Sequence, residues 1–245
     1  MEKIGLFIPC YIDQFYPQVA VATLELLEKL GCSVTYPMQQ TCCGQPLANS
    51  GMEEEARNIY NHFVKTFEAF DYIVTPSGSC TYHIMHHYAI LKQTEAVKAI
   101  RSKTLDLAEF LLDILKVGQL EAQFPYKVGL HQSCHGLRGL GLGSASERME
   151  DRSSKIEILL NMVESIELVP LDRPDECCGF GGTFAISEAA VSVKMGKDRI
   201  ADHQRNGAKF ITAGDMSCLM HLEGLLKRQN SEIKVIHLAE ILNNI

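Results

Sequence analysis

The chain has 245 residues, 46% hydrophobic and 22% charged, a balance that suits a globular protein able to bury a substantial core in one large domain or two ordinary ones. Its 23 Lys and Arg against 30 Asp and Glu leave a net charge of −7 with no basic run, which argues against a nucleic acid as partner. No apolar stretch approaches the roughly 18 residues that span a bilayer, and the start "MEKIGLFIPC" has neither a signal-peptide core nor a cleavage pattern, so a cytoplasmic location is expected.

In chain order, strand and helix signals alternate. "KIGLFIP" reads as a short buried strand, "QVAVATLELLEKLG" as an amphipathic helix stopped by Gly31, and "CSVTYP" as a second strand. "MEEEARNIYNHFVKTFEAF" reads as a long helix with glutamates in its first turn, where the helix dipole favours them. "YIVTP" is a third strand and "TYHIMHHYAIL" a helix. The second half repeats the series with "KVGLHQ", "SKIEILLNMVES", "IELVPL", "SEAAVSVKMGKDRIADHQRNG", "KFITAG" and "CLMHLEGLLKRQ". Such alternation predicts an α/β protein of two pseudo-symmetric, Rossmann-like halves with mostly parallel sheets.

The cysteines carry the same doubling. Apart from Cys32, read as a core residue, they form two sets: Cys10, Cys42, Cys43 and Cys80, then Cys134, Cys177, Cys178 and Cys218. Each set reads Cys, Cys-Cys-Gly, Cys, with 31 and 36 intervening residues in the first and 42 and 39 in the second. "IGLFIPC" pairs with "VGLHQSC", "CCGQPLANSG" with "CCGFGGTFAIS", and "DYIVTPSGSC" with "KFITAGDMSC". Each half closes on "LAE", at 107–109 and 238–240. Four landmarks in one order indicate an internal duplication with a boundary near residues 118–125, hence domains 1–122 and 123–245. On this reading the outer cysteines lie just past strand ends and the pairs lie in strand-to-helix loops. Ligand sites of open parallel sheets form at those carboxyl edges.

Nine cysteines in a chain expected to stay in the cytoplasm point to metal binding or thiol chemistry. Structural zinc and disulfide exchange both favour Cys-x-x-Cys spacing, which is absent here, although four thiolates could still hold zinc. An iron–sulfur cluster takes four thiolates and is wide enough to accept two from one bent loop and two from separate loops, so it is the leading reading. Gly44 and Gly179 follow the pairs where positive φ would turn both thiols one way. "CCGFGG" could in addition bring backbone N–H groups close to a sulfide.

The doubled pattern, with "CCGQP…NSG", "P-x-GSCTY", "CCGFGGTF" and "D-x-SCL", resembles the cysteine-rich "CCG" domain family. That family includes the B subunit of heterodisulfide reductase and the iron–sulfur subunit of glycolate oxidase. At this length the chain is most similar to its doubled bacterial members of the lactate utilization system, and the resemblance spans essentially the whole sequence. It implies an oxidoreductase subunit, inactive alone, that holds a [4Fe–4S] cluster in each half through the two cysteine quartets. It also implies two partner proteins, one with further iron–sulfur clusters, and L-lactate as substrate of the complex. The alternatives are a zinc-binding scaffold and a thiol/disulfide oxidoreductase like heterodisulfide reductase. Against the latter, the reductase motif ends in Cys-x-x-Cys, whereas Ser77 and Asp215 stand at the extra position here. An ordinary four-thiol centre suits that departure, with an oxygen ligand from Ser77 or Asp215 as the variant.

Among other residues, His83, His86 and His87 follow Cys80, and His131, His135 and Arg138 bracket Cys134. Arg138 as a bidentate carboxylate clamp and His135 as a base are the weak catalytic candidates. No Gly-x-Gly-x-x-Gly follows a strand, so a nucleotide on this chain is not expected.

Overall fold

A computed structural model describes residues 2–244. The protein is α/β, with two similar halves, each built on one four-stranded, all-parallel sheet. In the first half β1 (Lys3–Leu6), β2 (Ser33–Thr35), β3 (Tyr72–Thr75) and β4 (Thr104–Asp106) take the order β2-β1-β3-β4. In the second, β5 (Lys127–Leu130), β6 (Glu167–Leu168), β7 (Phe210–Ala213) and β8 (Lys234–His237) repeat it as β6-β5-β7-β8. The central strands pair in equivalent registers, with Leu6 opposite Val74 and Leu130 opposite Thr212. Among the described residues no helix is long and apolar enough to cross a membrane.

The strand order decides where a site can form. From β1 the chain crosses to β2 on one side, and from β3 to β4 on the other. The loops leaving β1 and β3 therefore diverge and open a crevice at the carboxyl edge. The same holds between β5 and β7. The strands framing the crevices are nearly continuous apolar runs because helices cover both faces.

The sequence reading needs revision at several elements. β4 and β8 were not anticipated, and both lead directly into the "LAE" helices Leu107–Glu109 and Leu238–Leu242. The helix expected to open on Glu53–Glu55 starts only at Arg57 and runs to Phe67, and those glutamates occupy the turns before it. Arg57 binds Glu54 and donates to Ile90 O at 2.6 Å, which ties the helix start to a tertiary contact invisible in the local pattern. The helices read from Thr81 and Cys218 begin earlier, at Gly78 and Met216, which puts Cys80 and Cys218 in the first turns of Gly78–His87 and Met216–Arg228.

The halves are joined reciprocally. The helix Leu238–Leu242 packs on Pro17–Lys29 of the first half, and Leu107–Glu109 packs on Lys155–Leu160 of the second. One apolar core runs through both, including Leu6, Leu27, Leu107, Phe110, Val128, Leu159 and Leu238, and a second cluster around Phe7, Tyr60 and Phe63 lies within the first half. Cys32 is half-buried against that core.

Candidate metal centres

In each half three chain segments bring four thiols together. Cys10 opens the helix Cys10–Phe15 just beyond β1, Cys42 and Cys43 sit in the loop after β2, and Cys80 follows β3. Cys10 contacts Cys42, Cys42 contacts Cys43, and the Cys43 and Cys80 sulfurs are 3.5 Å apart. The second half repeats the sequence of contacts through Cys134, Cys177, Cys178 and Cys218. All eight predicted cysteines thus fall into the two predicted quartets.

The glycines do what the backbone requires. Gly44 has φ 91° and Gly179 has φ 87°, the left-handed region that a side chain rarely adopts. There each N–H turns back onto the preceding sulfur, Gly44 N to Cys42 Sγ and Gly179 N to Cys177 Sγ, both at 3.3 Å. A Cβ on Gly44 would lie 2.5 Å from Tyr60 Cε1, and one on Gly179 would lie 2.7 Å from Ser192 O.

Each quartet runs from the interior to the surface. Cys43, Cys80, Cys178 and Cys218 are buried, whereas Cys10 is exposed and Cys42, Cys134 and Cys177 are half-buried. Hydrogen bonds from the Cys10 and Cys43 thiols, with the Gly44 N–H behind them, push the Cys42 thiol down to about 3. Hydrogen bonds from Cys134 and Cys178 push Cys177 down to about 2. Cys10 and Cys134 move up, chiefly because they donate those bonds. In each quartet one thiol, Cys42 or Cys177, thus ionises more readily than the Cys10 or Cys134 that donates to it.

The segments that follow the two Cys-Cys-Gly sequences meet across the boundary between the halves. Thr183 Oγ1, just past the second Cys-Cys-Gly, donates to Asn49 O, just past the first, at 3.0 Å. Ser77 and Asp215 form an isolated antiparallel bridge across the same boundary. Ser77 Oγ accepts from Cys80 N at 3.3 Å, and Asp215 accepts from Ser79 N at 2.7 Å, Ser217 N at 3.0 Å and Ser217 Oγ at 2.6 Å. Tyr11, next to Cys10, donates to Asp215 Oδ1 at 3.2 Å and lies 3.0 Å from Ser77 Oγ. The two residues in place of a fifth cysteine cap the cysteine-bearing helices and join the halves, and their oxygens are engaged in doing so. Tyr11 had no signal in the sequence, because its counterpart after Cys134 is His135.

The remaining candidates are held by other groups. Arg138 is bidentate to Glu147, at 2.6 and 2.9 Å, and reaches Asp175 Oδ2 at 3.2 Å. It contributes positive charge near Cys134 with its fork already filled. The His135 ring lies 5.1 Å from Tyr82 of the first half. His83 is buried, 3.0 Å from Tyr60 Oη, and burial drives it down to about 3. His87 contacts Glu53 at 2.8 Å, and His86 lies beside Tyr82 with ring centres 4.3 Å apart.

A family described as "Cysteine-rich domain", abbreviated CCG, matches residues 4–85 and 128–223, one stretch in each half. Over 99% of its length the chain is 42% identical to "Lactate utilization protein A" of Exiguobacterium sp., covering 98% of that protein. It is 40% identical to the protein of the same name from Geobacillus sp., covering 99% of each chain. Among solved structures, a hypothetical protein from Helicobacter pylori aligns over 98% of this chain and 48% of its own, at 13% identity and a TM-score of 0.53, a likeness of fold alone.

Proposed function

The chain belongs to the cysteine-rich CCG domain family, and from that premise we propose that it is the iron–sulfur electron-transfer subunit of a multi-protein system that oxidises L-lactate. The convergence of four thiols in each half, from segments far apart in sequence, carries this reading. The names of the relatives support lactate as the metabolite served. Two further proteins, one carrying more clusters, and a cytoplasmic location complete the proposal.

The donor set fits such a group. Around one zinc ion, with Zn–S near 2.3 Å, all four sulfurs would lie roughly 3.8 Å apart. Among the described residues the one set of three His, Cys, Asp or Glu donors within 4.8 Å of one another is His131, Cys178 and Cys218. No three thiols of either quartet are that compact, and four thiolates with a backbone N–H on one sulfur are a donor set that suits a cluster.

When bound, a cluster of this kind accepts and releases single electrons. The chain's own residues do the rest. The buried cysteines anchor each site against the apolar interior, and the Gly44 and Gly179 N–H groups offset negative charge on sulfur. The exposed Cys10 leaves the first site open to a docking partner. The contact between Thr183 and Asn49 ties together the segments that follow the two Cys-Cys-Gly sequences.

Anaerobic purification should yield about four irons and four acid-labile sulfides per occupied site, with a brown absorbance that bleaches on reduction. Stoichiometric zinc without labile sulfide overturns the proposal in favour of the zinc-binding scaffold. Cys43→Ser should lower iron content and abolish growth on lactate. Unchanged iron in that variant would make Cys43 a packing residue.

A further inference from the structure

The two sites differ at one equivalent position. The residue after β1 and the residue after β5 each extend the ladder by one rung: Phe7 N donates to Val74 O at 2.9 Å, and His131 N to Thr212 O at 2.7 Å. Both side chains are fully buried. Phe7 meets Phe63 and Phe67 edge-on in the apolar cluster that also contains Cys43 and Cys80. In the second half the same place holds an imidazole.

Neither ring nitrogen of His131 has a hydrogen-bond partner. A buried polar group left in that state costs about 1–3 kcal/mol, so it calls for a physical reason. Its neighbours supply one. A ring nitrogen of His131 and the sulfurs of Cys178 and Cys218 all lie within 4.8 Å of one another.

We propose that His131 supplies a nitrogen ligand beside Cys178 and Cys218 in the second metal centre, in place of one thiolate of that quartet, whereas the first centre, with Phe7 in that place, has thiolates alone. This rests on the reading of the quartets as metal sites. The pseudo-symmetric chain then carries two chemically distinct centres. A neutral imidazole among the thiolates raises the reduction potential of a cluster, as histidine ligation does elsewhere. Electrons arriving at the first centre would pass downhill to the second.

The test isolates the second site. A Cys42→Ser/Cys43→Ser protein, reconstituted anaerobically with ferrous iron and sulfide and then reduced, is examined by pulsed electron paramagnetic resonance with and without 15N-histidine labelling. A directly coordinated histidine nitrogen, shifted by the label, is expected, together with loss of that coupling in an additional His131→Phe variant that still holds iron. The labelled sample retains His131, so it decides the matter even if His131→Phe fails to fold. Iron in the second site without a histidine coupling, or with one that survives His131→Phe, overturns the inference and leaves the thiolate reading standing. Absence of iron and labile sulfide from the wild-type protein removes both.

Discussion

At Gly44 the chain needs two things that only glycine supplies together. One is a φ of 91°, and the other is room beside the Tyr60 ring. Tyr60 cannot easily yield, because it stacks on Tyr88 at 4.3 Å and lies 3.0 Å from His83 Nε2. Left-handed backbone alone costs an alanine about 1–2 kcal/mol, and displacing a packed core ring adds about 1–3. Gly44→Ala should therefore lower the stability of the metal-free protein by about 2–5 kcal/mol in chemical denaturation. An unchanged midpoint would show that the loop relaxes freely. Glycine after the paired cysteines was readable from sequence, since turning two adjacent thiols one way demands an unusual dihedral. The opposing aromatic ring was not.

At the level of elements, the start of each cysteine-bearing helix is secured by a cap that also spans the boundary between the halves. Asp215 receives two backbone N–H groups and hydroxyls from Ser217 and Tyr11 while nearly inaccessible to water. Asp215→Ala leaves several buried donors without an acceptor, each costing about 1–3 kcal/mol. A loss of about 3 kcal/mol or more is expected for it, against about 1 kcal/mol for Ser77→Ala, which removes one cap. Equal effects would mean that Asp215 acts only as a local cap and does not hold the halves together. The short strands β4 and β8 belong to the same scale. Three or four residues passing straight into a helix carry too little periodicity to be recognised. They exist because β3 and β7 would otherwise be edge strands with unpaired backbone groups, which β4 and β8 satisfy.

The molecule as a whole buries several ionisable side chains, and these set its response to pH. Burial pushes His83 down to about 3, His203 to about 2 and His237 to about 4, so the fold keeps them neutral. Below pH about 6.5 the unfolded chain takes up protons that the folded chain refuses, and stability falls as pH falls, by about 1.4 kcal/mol per pH unit for each such histidine. Asp106 has the opposite sign. Burial raises it to about 8, with Glu109 and Asp215 adding to the rise and Lys155 opposing it. Between about pH 4 and 8 the folded form retains a proton that the unfolded form has lost, so this residue erodes stability as pH rises. Denaturation midpoints of the metal-free protein should drop steeply from pH 7 to pH 5. Asp106→Asn, whose side-chain oxygen can still accept from Ala108 N, should be more stable than wild type at pH 7. A midpoint that does not change between pH 5 and 7 would mean that these histidines are not neutral in the folded protein.

By itself the sequence determined the duplication, the parallel α/β class, the two cysteine quartets and the glycines that follow the pairs. These are patterns of spacing and backbone permission, and spacing survives in one dimension. Folding decided what depends on residues far apart in the chain. Ser77 and Asp215, 138 positions apart, became a shared cap at the boundary of the halves. Arg138, read as free to bind a carboxylate, was claimed by Glu147 and Asp175. His131, one of several histidines near cysteines in the sequence, proved to be the one buried without a hydrogen-bond partner beside two buried sulfurs. A sequence lists which donors exist, but which of them are desolvated, saturated or left waiting is set by the neighbours that only the tertiary fold supplies.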